Sequence, residues 1–159
     1  MAYLFDTNIF IRSKNEMPMD LWPTFWTKMA GLINSGVIFS SEMVKSEINR
    51  RNDELTEWIK SLAPKNFYLP ITEDVIVKYE DCQNWARCRN FTQNALRTFA
   101  EVADAYLIAT ASAKNITLVT YETSDPNCKN RVKIPDVCNA IGVRYCDLNT
   151  VLRELGIKI

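Results

Sequence analysis

Four short apolar runs constrain this chain more than any other feature: residues 2–6, Val37-Ile38-Phe39, Ile116 to Thr120, and Val143-Arg144-Tyr145. Each is too short for a stable helix, and the longest is β-branched, so they read as buried strands. The stretches between them carry helical patterns instead. From Asp20 to Asn34, Leu21, Phe25, Met29 and Leu32 recur at spacings of three or four, with Asp20 as candidate N-cap and Gly36 past the end. Ser40 and Ser41 offer a cap for a helix carrying Met43, Val44, Glu47 and Ile48. Residues 53–62 and 73–88 read as further helices separated by Pro64 and Pro70, which makes the middle of the chain an all-helical insert.

Phe91 to Lys114 is alanine-rich and helix-favouring, with a break expected near Glu101, and Leu148 to Leu155 closes the chain as a helix. The stretch from Thr123 to Val132 is polar, contains Pro126 and reads as an exposed loop. Helices interleaved with short apolar strands imply a parallel sheet, hence an α/β fold. The 159 residues fit one domain, 1–159, and a content of 47% apolar residues is enough to build its core. Trp22, Trp26, Trp58 and Trp85 fall in helical patterns, so packing is a simpler role for them than base stacking.

The chain has no histidine, which removes Ser-His and Cys-His nucleophiles and imidazole zinc sites from consideration. Five cysteines, an odd number with no CxxC pair, read as reduced thiols of a cytoplasmic protein; Cys82 and Cys88 are expected to be semi-buried. No apolar run reaches the ~20 residues that a membrane crossing requires. Lysine plus arginine equals aspartate plus glutamate at 19 each, so no bulk basic footprint marks a polyanion binder. A nucleic-acid substrate would need a local basic patch or divalent ions at the site. Arg50-Arg51 and the Arg87, Arg89, Arg97 region read as solvated helix faces that can also contact phosphates.

Four acids stand where these apolar segments end or begin: Asp6, Glu47, Asp104 and Glu122. In an open parallel sheet ligands gather beyond the carboxyl ends of strands, and Asp6 and Glu122 lie just past two such ends. Asp104, near a helix start, and Glu47, inside a helix, complete a cluster if their helices flank the same edge. Packing carboxylates together raises their pKa values, and a divalent cation relieves the conflict. Oxygen-only ligation suits Mg²⁺ or Mn²⁺, which can orient water for attack on a phosphodiester. Each acid has a plainer reading as strand terminus, helix cap or solvated residue, and Glu42, Glu101 and Asp125 are rivals for Glu47, Asp104 and Glu122 respectively.

Leu4-Phe5-Asp6-Thr7-Asn8, the Ser40-Ser41 helix start leading to Glu47-Ile48, Ala103-Asp104-Ala105-Tyr106-Leu107-Ile108-Ala109 and Val119-Thr120-Tyr121-Glu122 resemble, in order, the motifs of PIN-domain ribonucleases. The resemblance extends to a single-domain prokaryotic PIN-like group of formerly unknown function and to the VapC toxins. Lys133-Ile134-Pro135-Asp136-Val137-Cys138 also looks typical of that group. It implies a three-layer α/β/α fold with about four or five mainly parallel strands. It also implies a metal-dependent endoribonuclease acting on RNA, often the toxin of a toxin–antitoxin pair, with an antitoxin partner and dimerisation. By position, Asp6, Glu47, Asp104 and Glu122 would be the catalytic and metal-binding acids, supported by Thr7, Asn8 and Thr120. Many PIN domains have Asp where Glu122 stands. Two other readings remain: a noncatalytic PIN-like module that binds protein or RNA, and a receiver-like nucleotide binder, for which a glycine-rich phosphate loop is lacking.

Overall fold

In the computed structural model, which describes residues 1–159, Tyr3–Phe5 (β1) runs up the middle of a five-stranded, all-parallel sheet. Its neighbours are Ile38–Ser41 (β2) and Thr117–Val119 (β4); Tyr68–Leu69 (β3) and Tyr145–Cys146 (β5) form the edges, giving the order β3-β2-β1-β4-β5. Tyr3 pairs with Ile38 on one side and Thr117 on the other. All three β1 residues are fully buried, as expected for a strand covered on both faces. From β1 the connections run to β2 in one direction and, later, to β4 in the other. Right-handed crossovers therefore place helices on both faces, which makes three layers.

The first helix, Thr7–Glu16 (α1), was not foreseen from the apolar pattern, because only Thr7, Ile9, Phe10 and Ser13 are buried along it. Asp6 starts it by accepting a hydrogen bond from the Asn8 N–H at 3.5 Å. The second helix, Pro23–Asn34 (α2), begins three residues later than the expected Asp20 start. Pro23 sits in its first turn, where its fixed φ and missing N–H cost nothing, and Trp22 before it is held out of helical geometry. Leu21 is consequently 71% exposed, not part of the buried stripe, and Trp22 is 47% exposed. Trp26 is buried, with its ring edge-on to Trp58 at 5.0 Å.

Ser41 caps Glu42–Arg51 (α3) by accepting from Met43 N at 3.2 Å, whereas Ser40 stays in β2 and donates to Phe5 O at 2.8 Å. Asp53 and Thr56 form a reciprocal capping box that starts Glu54–Leu62 (α4). The middle of the chain is not wholly helical: β3 lies between α4 and Glu73–Arg87 (α5), two residues long and too short to show a strand period. It pairs with Ser40 and Ser41. The expected break falls between Gln93–Glu101 (α6) and Ala103–Lys114 (α7), with Val102 closing one helix and opening the next.

Ile134–Ile141 (α8) was also missed, although Pro135 in its first turn and Gly142 just past its end are ordinary helix boundary signals. Gly142 adopts φ +77, and the N–H groups of Gly142 and Val143 both return to Cys138 O. That C-cap uses up Val143, which is why β5 starts at Tyr145 and not at Val143. Leu148–Glu154 (α9) ends the chain. Thirty-three buried hydrophobic residues form one contiguous core. All five cysteines are free; Cys82 is buried and Cys88 exposed, so neither is semi-buried. No helix is long and apolar enough to cross a membrane.

Candidate active site

Because the chain leaves β1 and β4 toward opposite sides, a crevice opens at their carboxyl ends. Asp6 N still bonds Val119 O at 3.1 Å, so the Asp6 side chain projects where the two strands finish. It is 1% exposed, and Oδ2 accepts from the Thr120 hydroxyl at 3.0 Å. That hydroxyl also accepts from Glu122 N at 3.1 Å. Thr120 thus fixes both the Asp6 carboxylate and the turn that carries Glu122.

Glu47 reaches the same crevice from α3. Its Oε2 accepts from the Thr7 hydroxyl at 2.7 Å and its Oε1 from Ala103 N at 3.1 Å. Val102 gives α7 no side-chain cap, so Glu47 satisfies one of the orphan N–H groups at that helix start from another element. Asp104, the second residue of α7, follows directly. The rivals lie elsewhere: Glu42 accepts from Ile71 N at 3.0 Å, Glu101 is exposed at the end of α6, and Asp125 is exposed with its N–H on Asp136. Asn8 contributes its backbone N–H to Asp6.

The carboxylates feel one another. Burial, with neighbouring Asp6 and Glu122, pushes the Asp104 carboxyl up to about 8. Burial raises Asp6 to about 6, against the Thr120 hydrogen bond that lowers it, with Glu122 and Glu47 adding repulsion. Burial also raises Glu122, opposed by Arg131. The Arg131 guanidinium lies 2.7 Å from Glu122 Oε1 and 3.9 Å from Asp104 Oδ2 through the same nitrogen. The close approach to Glu122 is an ion pair and not a directed hydrogen bond, since Oε1 has no donor in line. Glu122 Oε2 accepts from Ile134 N at 3.4 Å.

Arg131 is the member of this site that the sequence reading missed. It sits in a polar loop with no periodicity, and nothing local distinguishes it from Lys129 or Lys133. The arginines singled out instead serve other ends: Arg51 pairs with Asp53 at 3.1 Å, and Arg89 lies over the Trp85 ring at 5.0 Å.

No three of the acidic or thiol side chains stand in a preset metal-ligand arrangement. The donor chemistry nonetheless fits a hard divalent cation. Every available group is a carboxylate or hydroxyl oxygen, and burial first, with repulsion between neighbouring acids second, raises the Asp104 and Asp6 carboxyls, a cost that such an ion offsets.

The architecture is the PIN-like one: a parallel five-stranded sheet between helical layers, with acids at its carboxyl edge. Residues 3–159 match the family described as Domain of unknown function (DUF4411), and the chain belongs to that family. No curated protein matches it. Among solved structures it is similar to a chain of VapBC2 from Rickettsia felis, crystallised bound to a DNA fragment from its promoter. The TM-score is 0.56 at 15% identity, covering 92% of this chain and 98% of that one. It is also similar to a chain of FitAcB from Neisseria gonorrhoeae, with a TM-score of 0.52 and 19% identity, covering 90% and 95% respectively. At these identities the likeness is one of fold.

Proposed function

We propose that residues 1–159 act as a single PIN-like unit that hydrolyses RNA phosphodiester bonds with the help of Mg²⁺ or Mn²⁺. The observation that carries the reading is that Asp6, Glu47, Asp104 and Glu122 are gathered at the carboxyl ends of β1 and β4, linked through Thr120, Thr7, Ala103 and Arg131. Buried acids that crowd one another are unfavourable for stability and are typical of sites that bind a cation. The preference for RNA rests on the motif resemblance to PIN-domain ribonucleases.

In this reading Asp6, Glu47, Asp104 and Glu122 hold the metal, which when bound activates water and offsets charge on the phosphate. The chain's own part is positional. The Thr120 hydroxyl locks the Asp6 rotamer, and the Thr7 hydroxyl and Ala103 N–H lock Glu47. These contacts fix both carboxylates before any substrate arrives. Arg131, half-exposed, is placed to meet a substrate phosphate once Glu122 is neutralised by other means.

The toxin role, an antitoxin partner, a homodimer and a cytoplasmic setting belong to the same proposal. Their support is the motif resemblance to PIN-domain ribonucleases and VapC toxins, with which the fold shared with chains from VapBC2 and FitAcB agrees. The decisive assay incubates purified protein with tRNA and mRNA, with and without Mn²⁺, beside Asp6→Asn. Metal-dependent cleavage that disappears in the variant is expected; equal cleavage by both proteins would overturn the assignment.

A noncatalytic PIN-like binding module is the second reading, and Arg131 favours it by already supplying a cation to Glu122 and Asp104. Calorimetry separates the two. Absence of divalent binding at millimolar concentrations supports the module.

A further inference from the structure

The 123–133 loop has a second side, away from the acids. There it closes a cleft of about 310 Å³ against the end of α5 and one face of α8, lined by Trp85, Arg89, Phe91, Lys129, Asp136 and Asn139 among others. This volume is at the small end of ligand sites, which run from ~300 to ~1,000 Å³.

Hydrogen-bond capacity in the cleft is lopsided. Its one carboxylate, Asp136, is already engaged: Oδ1 accepts from Ser124 Oγ at 2.6 Å and Oδ2 from Asp125 N at 3.2 Å. Arg89 and Lys129, both exposed, are the cations that line it. An occupant must therefore bring acceptors and negative charge. The apolar part of the wall is aromatic, with the Trp85 and Phe91 rings 5.9 Å apart and tilted by 56°, and the Arg89 guanidinium rests on the Trp85 face. Planar, acceptor-rich and anionic together describe a nucleotide.

The loop is held in place, since Thr92 N bonds Lys129 O at 3.0 Å. Two positions beyond Lys129, Arg131 meets Glu122 and Asp104 on the other side of the same loop.

We infer that the Trp85–Arg89–Lys129 cleft seats one nucleotide of a single-stranded RNA, outside the acidic crevice where the scissile phosphate would lie. The inference deepens the nuclease reading and rests on it for the position of that phosphate. A free mononucleotide offers the same chemistry, and the test separates the two sources.

The test titrates the intact protein, in EDTA, with a 2′-O-methyl tetranucleotide that cannot be cleaved and, separately, with mononucleotides, followed by calorimetry. Comparison proteins are Arg89→Ala/Lys129→Ala, Trp85→Phe, and a Lys28→Ala/Lys158→Ala control that removes the same charge from exposed positions elsewhere. The Arg89/Lys129 variant should bind the tetranucleotide about tenfold or more weakly, while the control changes little. Trp85→Phe, which keeps an aromatic ring in the wall, should bind the tetranucleotide nearly as the parent does. Mononucleotides should bind much more weakly than the tetranucleotide. Mononucleotide binding as tight as that of the tetranucleotide would replace the RNA subsite with a free-nucleotide site. No binding, equal loss in the control, or binding indifferent to Arg89 and Lys129 would overturn the proposal. If the parent cleaves RNA with Mn²⁺ and the Arg89/Lys129 variant does so with the same KM, the subsite is wrong and the nuclease stands. Cleft-dependent tetranucleotide binding by a protein that cleaves nothing leaves the subsite and removes the nuclease.

Discussion

Glu47 ties three elements together and, in the proposed nuclease, would also hold metal; substitutions separate the two roles. Its oxygens take the Thr7 hydroxyl and the Ala103 N–H. Glutamine preserves both contacts, since its carbonyl accepts from Ala103 and its amide donates to Thr7. Glu47→Gln should therefore unfold within about 0.5 kcal/mol of the parent in urea, whereas Glu47→Ala, leaving both donors unsatisfied, should lose about 1 to 3 kcal/mol. Metal-dependent cleavage should vanish in both. Asp104 offers a pH signature. Its folded pKa, about 8, lies above the ordinary carboxylate value of 3.8, so its protonated form favours the folded state. That stability is fully present below about pH 4 and is lost as pH rises through about 8. Asp6, raised to about 6, acts in the same direction. In EDTA the Tm should fall between pH 5 and 8, and Asp104→Asn should flatten the slope; a parent Tm that rises across this window would refute the charge crowding.

Helix starts in this chain show which boundaries local chemistry sets and which need a partner. Asp6, Ser41, Asp53, Thr92 and Asp147 each accept from an N–H of the helix they precede, and all five are residue types that announce a cap. The Asp53–Thr56 box does more, because the Thr56 hydroxyl also donates to Ile48 O at 2.7 Å and ties α4 to α3. Thr56→Val keeps the volume but removes both contacts, and should cost about 1 to 2 kcal/mol by chemical denaturation. An unchanged midpoint would mean the box is ornamental. The α7 start, by contrast, has Val102 at its cap and borrows Glu47 from α3 across the fold. No local pattern around Val102 discloses that, because the partner lies 56 positions away.

Taken whole, the molecule is a set of short strands held by what packs on them. β3 and β5 have two residues each and cannot persist alone, so the sheet depends on its helical layers. Phe10 of α1 joins Phe5 of β1, at 5.7 Å between ring centroids, to Phe67 beside β3, at 6.3 Å. Phe10→Ala should cost about 3 to 5 kcal/mol and loosen the β3 edge of the sheet more than its centre. Hydrogen exchange showing β3 opened while β1 and β4 remain protected is the expected pattern; unaltered protection throughout would count against this coupling.

The alternation of apolar runs with 3.6-residue patterns was enough to read a parallel α/β chain, its central strands and the break near Glu101, because burial and period act over a few neighbouring residues. The ordered acids stood out for the same reason, each following or opening such a run, whereas Thr7 and Thr120 were marked only by the resemblance to PIN-domain motifs. Elements of two residues, the C-cap at Gly142 that displaced β5, and the exposure of Leu21 before Pro23 depend on the competition between local signals. Arg131 beside Glu122 and Asp104, Glu47 on the α7 start, and the cleft behind the 123–133 loop arise from segments far apart in the chain. Such contacts carry no periodic trace, and it takes the folded sheet, with its chain reversal at β1 and β4, to bring them together.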